Sequence, residues 1–412
     1  MDERLVIIGM GYVGEALADL AFQRGIATEG VEISAERIRQ LAVKPYRATQ
    51  DAVVVSGARW VVLAVPTPVD DAHMPNLAAL KSACTMIGPH LRPETTVIVE
   101  STVAPGTCEK IVARLLQYWI DQPRIAHCPE RVDPGRDVSL AAVPRVLAAN
   151  SADALDDAAT LYSRLLDVPP HIVSDLKTAE MTKIVENSFR DINIAFVNEM
   201  AVISQHLDID VAEVLDAAAT KPYGFMRHDP GCGVGGHCIP VDPYYLVEAA
   251  EKSGVVPRFL KLSREINESM PAFTVDLLDE ASASPDVRQG PVAVLGVAYK
   301  PNVADTRESP SFAVVAELRK RGFDVRVFDP HRLDLSDVKT LDEALDGARS
   351  IVLCTAHRQF LGMEDSFADA GIRVVIDGRN ALNRERLRAR GVLYRGIGRP
   401  ETAAVRGLAH VS

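Results

Sequence analysis

The chain lacks any long apolar segment. No run within its 412 residues approaches the ~18 apolar residues that a membrane-spanning helix requires. Its first residues, Met1–Arg4, lead straight into a short apolar run and do not have the profile of a signal peptide. We therefore expect a cytoplasmic protein that has no membrane partner.

A surplus of positive charge is also missing. The chain carries 45 Lys and Arg against 56 Asp and Glu, its formal net charge is -11, and its basic residues are scattered. Because a nucleic-acid-binding surface needs clustered cations, we expect no nucleic-acid partner. An anionic small molecule would need a local basic pocket.

The six cysteines include no Cys-x-x-Cys pair. In a reducing compartment, free thiols are favoured over disulfides. His237 and Cys238 are adjacent and suggest a metal, but neighbouring residues rarely chelate one ion and no partner cluster is visible. We therefore expect no metal.

What is present begins with a dinucleotide-binding pattern. Leu5–Ile8 is typical of a buried parallel strand, and a Gly-x-Gly-x-x-Gly motif followed by a helical pattern comes directly after it. Gly9 would make the tight turn, Gly11 would let the backbone approach a pyrophosphate, and Gly14 would allow close helix packing. Glu32, after the next strand, would bind the ribose hydroxyls and favour NAD over NADP. The alternative is a glycine-rich structural turn. The cofactor contacts predicted from this region are Gly9, Gly11, Tyr12, Val13, Gly14 and Glu32.

Two further strand-like runs, Trp60–Val65 and Thr96–Val99, end in polar segments. Ligands of doubly wound sheets bind outside the carboxyl ends of the strands. Thr67, Ser101 and Thr102 are therefore placed to touch the cofactor or the substrate. Capping or turn chemistry is the alternative role for these hydroxyls.

From about Leu176 to Ala219 the pattern becomes helical. Glu180, Lys183 and Asn187 are three and four residues apart, so they share one helix face. A lysine facing a site could stabilise an oxyanion, and Asn187 could orient a water. The alternative is a solvated helix face.

Cys238 stands in the glycine-rich segment Gly231–Tyr245, with four glycines before it and Asp242 after it. Glycine allows positive φ and the close approach of a ligand, so a cysteine held there is a candidate nucleophile. A thiol combined with a nicotinamide-binding motif points to an oxidation that passes through a covalent thioester.

The last third of the chain repeats the strand-and-helix pattern without a Gly-x-Gly-x-x-Gly motif. Its strand-like runs are Val292–Leu295, Val325–Phe328, Ile351–Cys354 and Val374–Ile376. Lys300, Arg307 and Arg379 lie at or just past strand ends and could hold phosphate, or they could be ordinary surface cations. A linker is expected at 283–290.

Hydrophobic residues make up 47% of the chain and charged residues 25%, which is ordinary for a globular protein. We therefore predict an α/β protein with two Rossmann-like, doubly wound parallel-sheet domains, 1–175 and 285–412. A central helical region, 176–284, would join them. Long helical connectors of this kind commonly supply a dimer surface, so a homodimer is expected.

The chain resembles the UDP-glucose/GDP-mannose dehydrogenase family over nearly its whole length. The motifs that carry the resemblance are the N-terminal glycine motif, Val65–Pro68, Glu100–Thr107, Pro129–Arg131, Glu180–Asn187, the cysteine loop, Leu295–Pro301 and Asp305–Pro310. The resemblance implies an NAD-binding N-terminal domain, a central dimer region and a C-terminal domain that binds the nucleotide of a UDP-sugar.

The resemblance also implies a two-step oxidation of the sugar C6 hydroxyl, in which Cys238 forms a thiohemiacetal and then a thioester. Lys183 would stabilise the oxyanions, while Asn187 and Asp242 would position water and assist proton transfer. Glu130 and Thr102 match the family's carboxylate–threonine pair near the reacting centre. Arg307 would contact cofactor or substrate. The implied substrate contacts are Glu130, Arg131, Lys183, Asn187, Arg190, Asn193, Gly235, Gly236, His237 and Lys300.

Departures from the UDP-glucose pattern indicate a subgroup. His237 replaces the usual Ser before the catalytic cysteine, Ile239–Tyr245 replaces Pro-Lys-Asp after it, and Arg131 follows Glu130 in place of Phe. These changes are similar to the branch that acts on UDP-N-acetylhexosamines such as UDP-ManNAc or UDP-GlcNAc. UDP-glucose stays the alternative substrate. A two-electron dehydrogenase and a non-catalytic nucleotide-sugar sensor are the other classes.

Overall fold

The computed structural model describes residues 2–70, 72–131, 139–282 and 285–401. The chain forms two compact units. The N-terminal unit comprises Met1–Asn187 and Val241–Pro257, and the C-terminal unit comprises Ser188–Pro240 and Arg258–Ser412.

The N-terminal unit is built on an eight-stranded sheet. Its strands are β1 Asp2–Ile8, β2 Ala27–Val31, β3 Arg47–Thr49, β4 Ala58–Leu63, β5 Thr96–Val99, β6 Arg124–His127, β7 Val146–Ala149 and β8 His171–Ile172. They lie in the order β3-β2-β1-β4-β5-β6-β7-β8, and the first six reproduce the order of dinucleotide-binding sheets. Neighbours are parallel except β6 and β7, which pair antiparallel; the sequence pattern did not distinguish this pair.

The C-terminal unit contains a five-stranded parallel sheet. Its strands are β9 Val292–Leu295, β10 Val325–Phe328, β11 Ser350–Leu353, β12 Val374–Asp377 and β13 Leu393–Gly396. Their order, β10-β9-β11-β12-β13, is the 2-1-3-4-5 order of the other common doubly wound fold. The predicted α/β class with two parallel sheets and intervening helices is confirmed.

Helices cover and connect the sheets. They are α1 Tyr12–Gln23, α2 Ala35–Leu41, α3 Ala78–Ile87, α4 Arg114–Leu116, α5 Ala152–Leu165, α6 Leu176–His206, α7 Val211–Ala219, α8 Asp242–Lys252, α9 Arg258–Ala281, α10 Pro285–Gln289, α11 Pro310–Lys320, α12 Leu341–Leu345, α13 Glu364–Asp369 and α14 Arg384–Ala389. The helix α10 occupies part of the expected linker, whose residues 283 and 284 lie outside the described residues.

The sheets form because β-branched and aliphatic runs are buried on both faces. All of β5, β9 and β11 is buried. Short polar side chains cap the starts of several helices: Ser34 accepts from the amide of Arg37 at α2, and Ser151 from that of Ala154 at α5. α1 follows Gly11, which has no side chain to cap its first amides.

The carboxyl ends of β1 and β9 are built alike. A glycine with positive φ follows each strand, Gly9 at +91° and Gly296 at +85°. Each glycine amide donates to the last residue of the adjacent strand, Gly9 to Val31 at 2.8 Å and Gly296 to Phe328 at 2.9 Å. The same turn therefore follows the first strand of both sheets, at the carboxyl edge.

Within the described ranges, none of the helices combines the length and apolarity that crossing a membrane demands. The same residues contain no cluster of three or more His, Cys, Asp or Glu that could hold a metal ion.

Candidate active site

The three motif glycines of the N-terminal unit meet different demands. A Cβ on Gly9 would lie 2.7 Å from the carbonyl oxygen of Ala64, and one on Gly14 would collide with the carbonyl of Gly9. A Cβ on Gly11 would meet nothing within 4 Å. The fold therefore requires Gly9 and Gly14, whereas at Gly11 the absent side chain leaves room for a ligand at the start of α1. This arrangement fits a pyrophosphate.

Glu32 lies half-buried just past β2. Its Oε2 accepts from the amide of Met10 and its Oε1 from that of Ser34, both at 2.9 Å. Each oxygen keeps acceptor capacity, because a carboxylate oxygen offers about two sites. Arg37 donates to the Met10 carbonyl at 2.9 Å and so braces the glycine turn. Glu32 and the turn together fit the ribose and phosphates of NAD.

The hydroxyls at the ends of β4 and β5 tie the two strand ends together. Thr67 Oγ1 donates to the carbonyl of Thr102 at 2.8 Å, and Ser101 Oγ donates to that of Val65 at 2.7 Å. These bonds are the turn chemistry that the sequence offered as the alternative. A cofactor contact of Thr67, Ser101 or Thr102 stays a prediction.

Lys183 and Asn187 on α6 and Asp242 at the first residue of α8 are buried, with exposed fractions of 8%, 6% and 3%. Asn187 Nδ2 donates to Asp242 Oδ2. Burial raises the pKa of Asp242 to about 6, against the opposing charge of Lys183 and the bond from Asn187. The solvated-face alternative is therefore wrong for these positions.

Glu180, one turn before Lys183, does something different. It is fully buried and accepts from the backbone amides of Gly106 and Cys108, the latter at 2.7 Å. Burial raises the pKa of Glu180 to about 7, although those amides oppose the shift. Glu180 thus holds the turn after β5 onto α6 rather than facing a ligand.

Glu130 follows β6 and is held on both carboxylate oxygens. Its Oε1 accepts from the amide of Arg131 at 2.6 Å, and its Oε2 forms an ion pair with Arg145. The Arg131 guanidinium pairs with Glu186 at 2.5 Å. Sequence reasoning missed Arg145; the only local signal is a lone cation directly before an apolar strand.

In the C-terminal unit, the glycines before Cys238 serve packing as well as conformation. Gly233 and Gly236 have positive φ, +127° and +92°. A Cβ on Gly235 would lie 2.7 Å from the Cβ of Tyr299. The space beside Gly235 is thus filled by a side chain of the same unit, and a substrate contact of Gly235 stays a prediction.

Cys238 differs from the other cysteines in exposure. All six are thiols that form no disulfide in the described residues; Cys238 is partly exposed, whereas the other five are buried, namely Cys84, Cys108, Cys128, Cys232 and Cys354. Buried thiols behave as small hydrophobes. Cys238 is therefore the thiol that solvent reaches, as a nucleophile requires.

Arg307 lies on the loop that meets the glycine segment. Its carbonyl accepts from the amide of Gly236 at 3.0 Å, and its guanidinium pairs with Asp305 at 2.5 Å. The bond to Asp305 raises the pKa of Arg307, and Tyr299 and Cys238 add to this shift. The backbone bond and the ion pair together fix Arg307 beside the glycine segment.

The loop that carries Lys300 and Arg307 is hydrogen-bonded to His357 and Arg358 through Asn302. The amide of Asn302 donates to His357 Nδ1 at 2.8 Å, and Asn302 Oδ1 accepts from the amide of Arg358 at 3.0 Å. His357 Nε2 lies 3.1 Å from Asp329 Oδ2. Because Nδ1 accepts, the ring proton lies on Nε2 and is donated to Asp329. Lys300 itself is half-buried.

The remaining predicted residues occupy mixed environments. Asn193 Nδ2 donates to the Phe189 carbonyl within α6 at 2.6 Å, and Arg190 and His237 are half-buried. Arg379 Nε donates to the carbonyl of Cys354 at 2.7 Å, so it is fastened to backbone rather than being a loose surface cation. Substrate contacts at these positions stay predictions.

Comparison with known proteins gives concordant results. Sequence profiles of the UDP-glucose/GDP-mannose dehydrogenase family match residues 44–166 as its NAD binding domain, 177–269 as its central domain and 293–384 as its UDP binding domain. The chain is 32% identical to a UDP-N-acetyl-D-mannosamine dehydrogenase of Methanocaldococcus jannaschii, over 93% of each chain.

Two other relatives extend this result. A UDP-N-acetyl-D-glucosamine 6-dehydrogenase of Pseudomonas aeruginosa is 32% identical and covers 88% of this chain and 92% of its own. The solved structure of a UDP-D-ManNAc dehydrogenase from Pyrococcus horikoshii superimposes with a TM-score of 0.88 at 32% identity, covering 96% of this chain and 99% of its own.

Proposed function

Because the chain belongs to the UDP-glucose/GDP-mannose dehydrogenase family and contains its NAD binding domain, we propose that it oxidises the C6 hydroxyl of a UDP-N-acetylhexosamine to a carboxylate. UDP-ManNAc and UDP-GlcNAc are the proposed substrates. The observation that carries this choice is the match, over 93% and 88% of the chain, to relatives named for these two sugars. UDP-glucose is the alternative.

The proposed reaction removes four electrons in two steps. The C6 alcohol loses a hydride and a proton and becomes an aldehyde. The Cys238 sulfur adds to the aldehyde carbon and forms a thiohemiacetal, which loses a second hydride and a proton to become a thioester. Water then attacks the thioester, supplies the second carboxylate oxygen and releases the thiol. NAD, when bound, accepts one hydride per step, so two molecules are reduced per sugar.

The chain's own residues take the remaining roles. Lys183, a buried cation, would stabilise the oxygen that carries negative charge in each addition step. Asp242, ionised above a pH of about 6, would accept a proton, and Asn187 would hold it and the attacking water in place. Glu130 and Thr102 would orient the water or the reacting hydroxyl.

Recognition would be divided along the chain. In the proposed arrangement, residues 1–175 hold NAD through the glycine turn and Glu32, and residues 285–412 hold the UDP portion. Lys300 would contact the substrate and Arg307 the cofactor or substrate. The sugar contacts would come from Glu130, Arg131, Lys183, Asn187, Arg190, Asn193, Gly235, Gly236 and His237.

The deciding experiment measures NADH formed against sugar consumed, with UDP-ManNAc, UDP-GlcNAc, UDP-GalNAc and UDP-glucose in parallel. Two NADH per sugar with an N-acetylated substrate would support the proposal and name the epimer. Turnover of UDP-glucose alone would replace the substrate and keep the chemistry. One NADH per sugar would indicate a two-electron dehydrogenase, and none with any sugar would favour a sensor.

A homodimer is also proposed, through the outward row of α6. Met181, Val185, Phe189, Phe196 and Ile203 are large apolar side chains that are 36–49% exposed, and such rows mark contact surfaces. Light scattering on the wild type should give twice the chain mass, and Ile203→Glu should give a monomer. A wild-type monomer at micromolar concentration would exclude the dimer.

A further inference from the structure

A buried arginine outside the proposed reaction lies against Glu130. Arg145 immediately precedes β7, and its side chain is 0% exposed. Its Nη2 pairs with Glu130 Oε2, its Nη1 lies 3.7 Å from Glu100 Oε1, and Nη1 donates to the Pro129 carbonyl at 3.2 Å. One guanidinium thus serves two carboxylates and the backbone beside one of them.

The second carboxylate is closed off from solvent. Glu100, at the end of β5, is buried and accepts from the hydroxyl of Tyr162 at 2.5 Å. Burial raises the pKa of Glu100 to about 7, although Arg145 opposes the shift. Since Nη1 of Arg145 lies 3.7 Å from Glu100, whereas Nη2 pairs directly with Glu130, Glu130 is the nearer partner of the Arg145 charge.

Glu130 is also tied to the helix that carries the other reacting groups. The neighbouring Arg131 pairs with Glu186 through two bonds, at 3.2 and 2.5 Å. Glu186 precedes Asn187 on α6. Glu130 is therefore held directly by its ion pair with Arg145. It is also held indirectly by α6, through Arg131 and Glu186.

We propose that Arg145 is a positioning residue for the oxidation: it holds the Glu130 carboxylate in one orientation for its work on the sugar. This role rests on the proposed function and adds a residue to it. A guanidinium fork can bind a carboxylate and a carbonyl at once, whereas an ammonium supplies the charge without the fixed geometry. Arg145→Lys thus keeps the charge and removes the orientation.

The test is a double-mutant cycle between Arg145→Lys and Glu130→Gln, read in kcat and in the KM for NAD. Arg145→Lys should lower kcat about 10- to 100-fold, the order of loss that a misplaced group causes, and leave the KM for NAD unchanged. In the Glu130→Gln background, Arg145→Lys should change kcat less than about twofold, because the residue through which it acts is already gone.

Arg59→Lys is the matched control. Arg59 lies at the amino end of β4 and pairs with the largely buried Asp157 at 2.7 Å. Arg59→Lys should lower Tm without lowering kcat, whether it is introduced alone or together with Glu130→Gln. If Arg145→Lys does not fold, Arg145→Gln combined with Glu100→Gln keeps a polar side chain at both buried positions and should lose kcat similarly.

An additive loss in the cycle, or a Glu130→Gln enzyme with normal kcat, would overturn the role of Arg145 while leaving the proposed function standing. A wild type that turns over no nucleotide sugar would instead overturn the proposed function, and the two failures are therefore distinguishable.

Discussion

The two sheets contain the same type of turn, but the acid beside each turn has a different role. After β1 and after β9 a positive-φ glycine donates to the last residue of the adjacent strand, and an acid follows that adjacent strand: Glu32 after β2 and Asp329 after β10. Glu32 is half-buried and accepts one backbone amide on each oxygen. It retains capacity for a ribose.

Asp329 is bonded to more donors and is shielded from solvent. Its Oδ2 accepts from the amides of Val297 and Ala298 at 2.7 and 2.9 Å and from His357, and its Oδ1 accepts from the amide of His331 at 2.8 Å. It is also fully buried. The same topological position therefore leaves acceptor capacity for a ligand in one sheet and supplies an internal anchor in the other.

The surroundings of a buried acid decide its ionisation, as the two units also show. Burial alone would raise the pKa of Asp329, but the bonds from His357 and three amides lower it. Asp242, which has Asn187 and the charge of Lys183, keeps a raised pKa of about 6. A buried acid that accepts many hydrogen bonds stays ionised and can serve as a structural anchor. A buried acid that accepts few hydrogen bonds has a raised pKa and is suited to proton transfer.

Cys238→Ala should have the largest effect, because it should remove product formation and leave NAD binding by the N-terminal unit intact. Loss of the sulfur nucleophile should lower acid formation by at least about 10³-fold, while NAD affinity changes little, because the glycine turn and Glu32 are untouched. Product formation and NAD binding by calorimetry measure the two effects. Cys232→Ala, at a buried thiol nearby in sequence, is the control and should keep product formation. Full turnover by Cys238→Ala would refute the thioester route.

Glu32→Ala and Asp329→Asn would test the divided use of the shared turn. Glu32→Ala should raise the KM for NAD about 10- to 100-fold, as expected for losing hydrogen bonds to a charged group, with little change in Tm. Asp329→Asn should leave the KM for NAD unchanged and cost about 2 kcal/mol of unfolding free energy at neutral pH.

The pH dependence gives this pair a second readout. Because the folded pKa of Asp329 is lowered, its stabilisation is present above the unfolded value of about 3.9 and is lost as the pH falls through the folded value. The stability gap between wild type and Asp329→Asn should therefore shrink in acid. A gap that is constant with pH would contradict the anchor role.

Alanine at two glycines sharpens the contrast between the two loops. Gly235→Ala should cost about 1–3 kcal/mol, because its Cβ would lie 2.7 Å from that of Tyr299. Gly11→Ala meets no atom within 4 Å, so it should leave Tm nearly unchanged and weaken NAD binding. Thermal unfolding and NAD titration on both variants measure this; equal losses of Tm would contradict it.

The smallest expected effect is a shift in the pH profile. Since Asp242 has a pKa of about 6 and must be ionised to accept a proton, kcat should rise as the pH increases through about 6. Asn187→Ala removes a bond to the ionised form, so the rise should move upward by roughly one pH unit. Asn198→Ala, at another buried amide, should not move it.

Local patterns predicted much of this molecule. The apolar runs located β1, β4 and β5 of the first sheet and β9 to β12 of the second. The spacing of Lys183 and Asn187 placed these two residues on one helix face. Long-range partners carried no such signal. Arg145, Glu100 and Tyr162 come from three separate elements, and only folding brings them together.

The antiparallel pairing of β6 and β7 could not be predicted either, because the pattern of a short apolar run does not depend on the direction of the strand. The hydroxyls of Thr67 and Ser101 show a further limit. Their position at strand ends was correct, but sequence could not tell whether they bond to a ligand or to a neighbouring strand.

The ring proton of His357 offers a spectroscopic reporter. Asn302 occupies the other ring nitrogen and the acceptor is a buried carboxylate, so this proton is sheltered from exchange with water. It should give a resolved downfield proton resonance in the protein without substrate. Seating a UDP-sugar against the loop of Lys300 would move that signal, so substrate docking can be followed in an enzyme that performs no turnover at all.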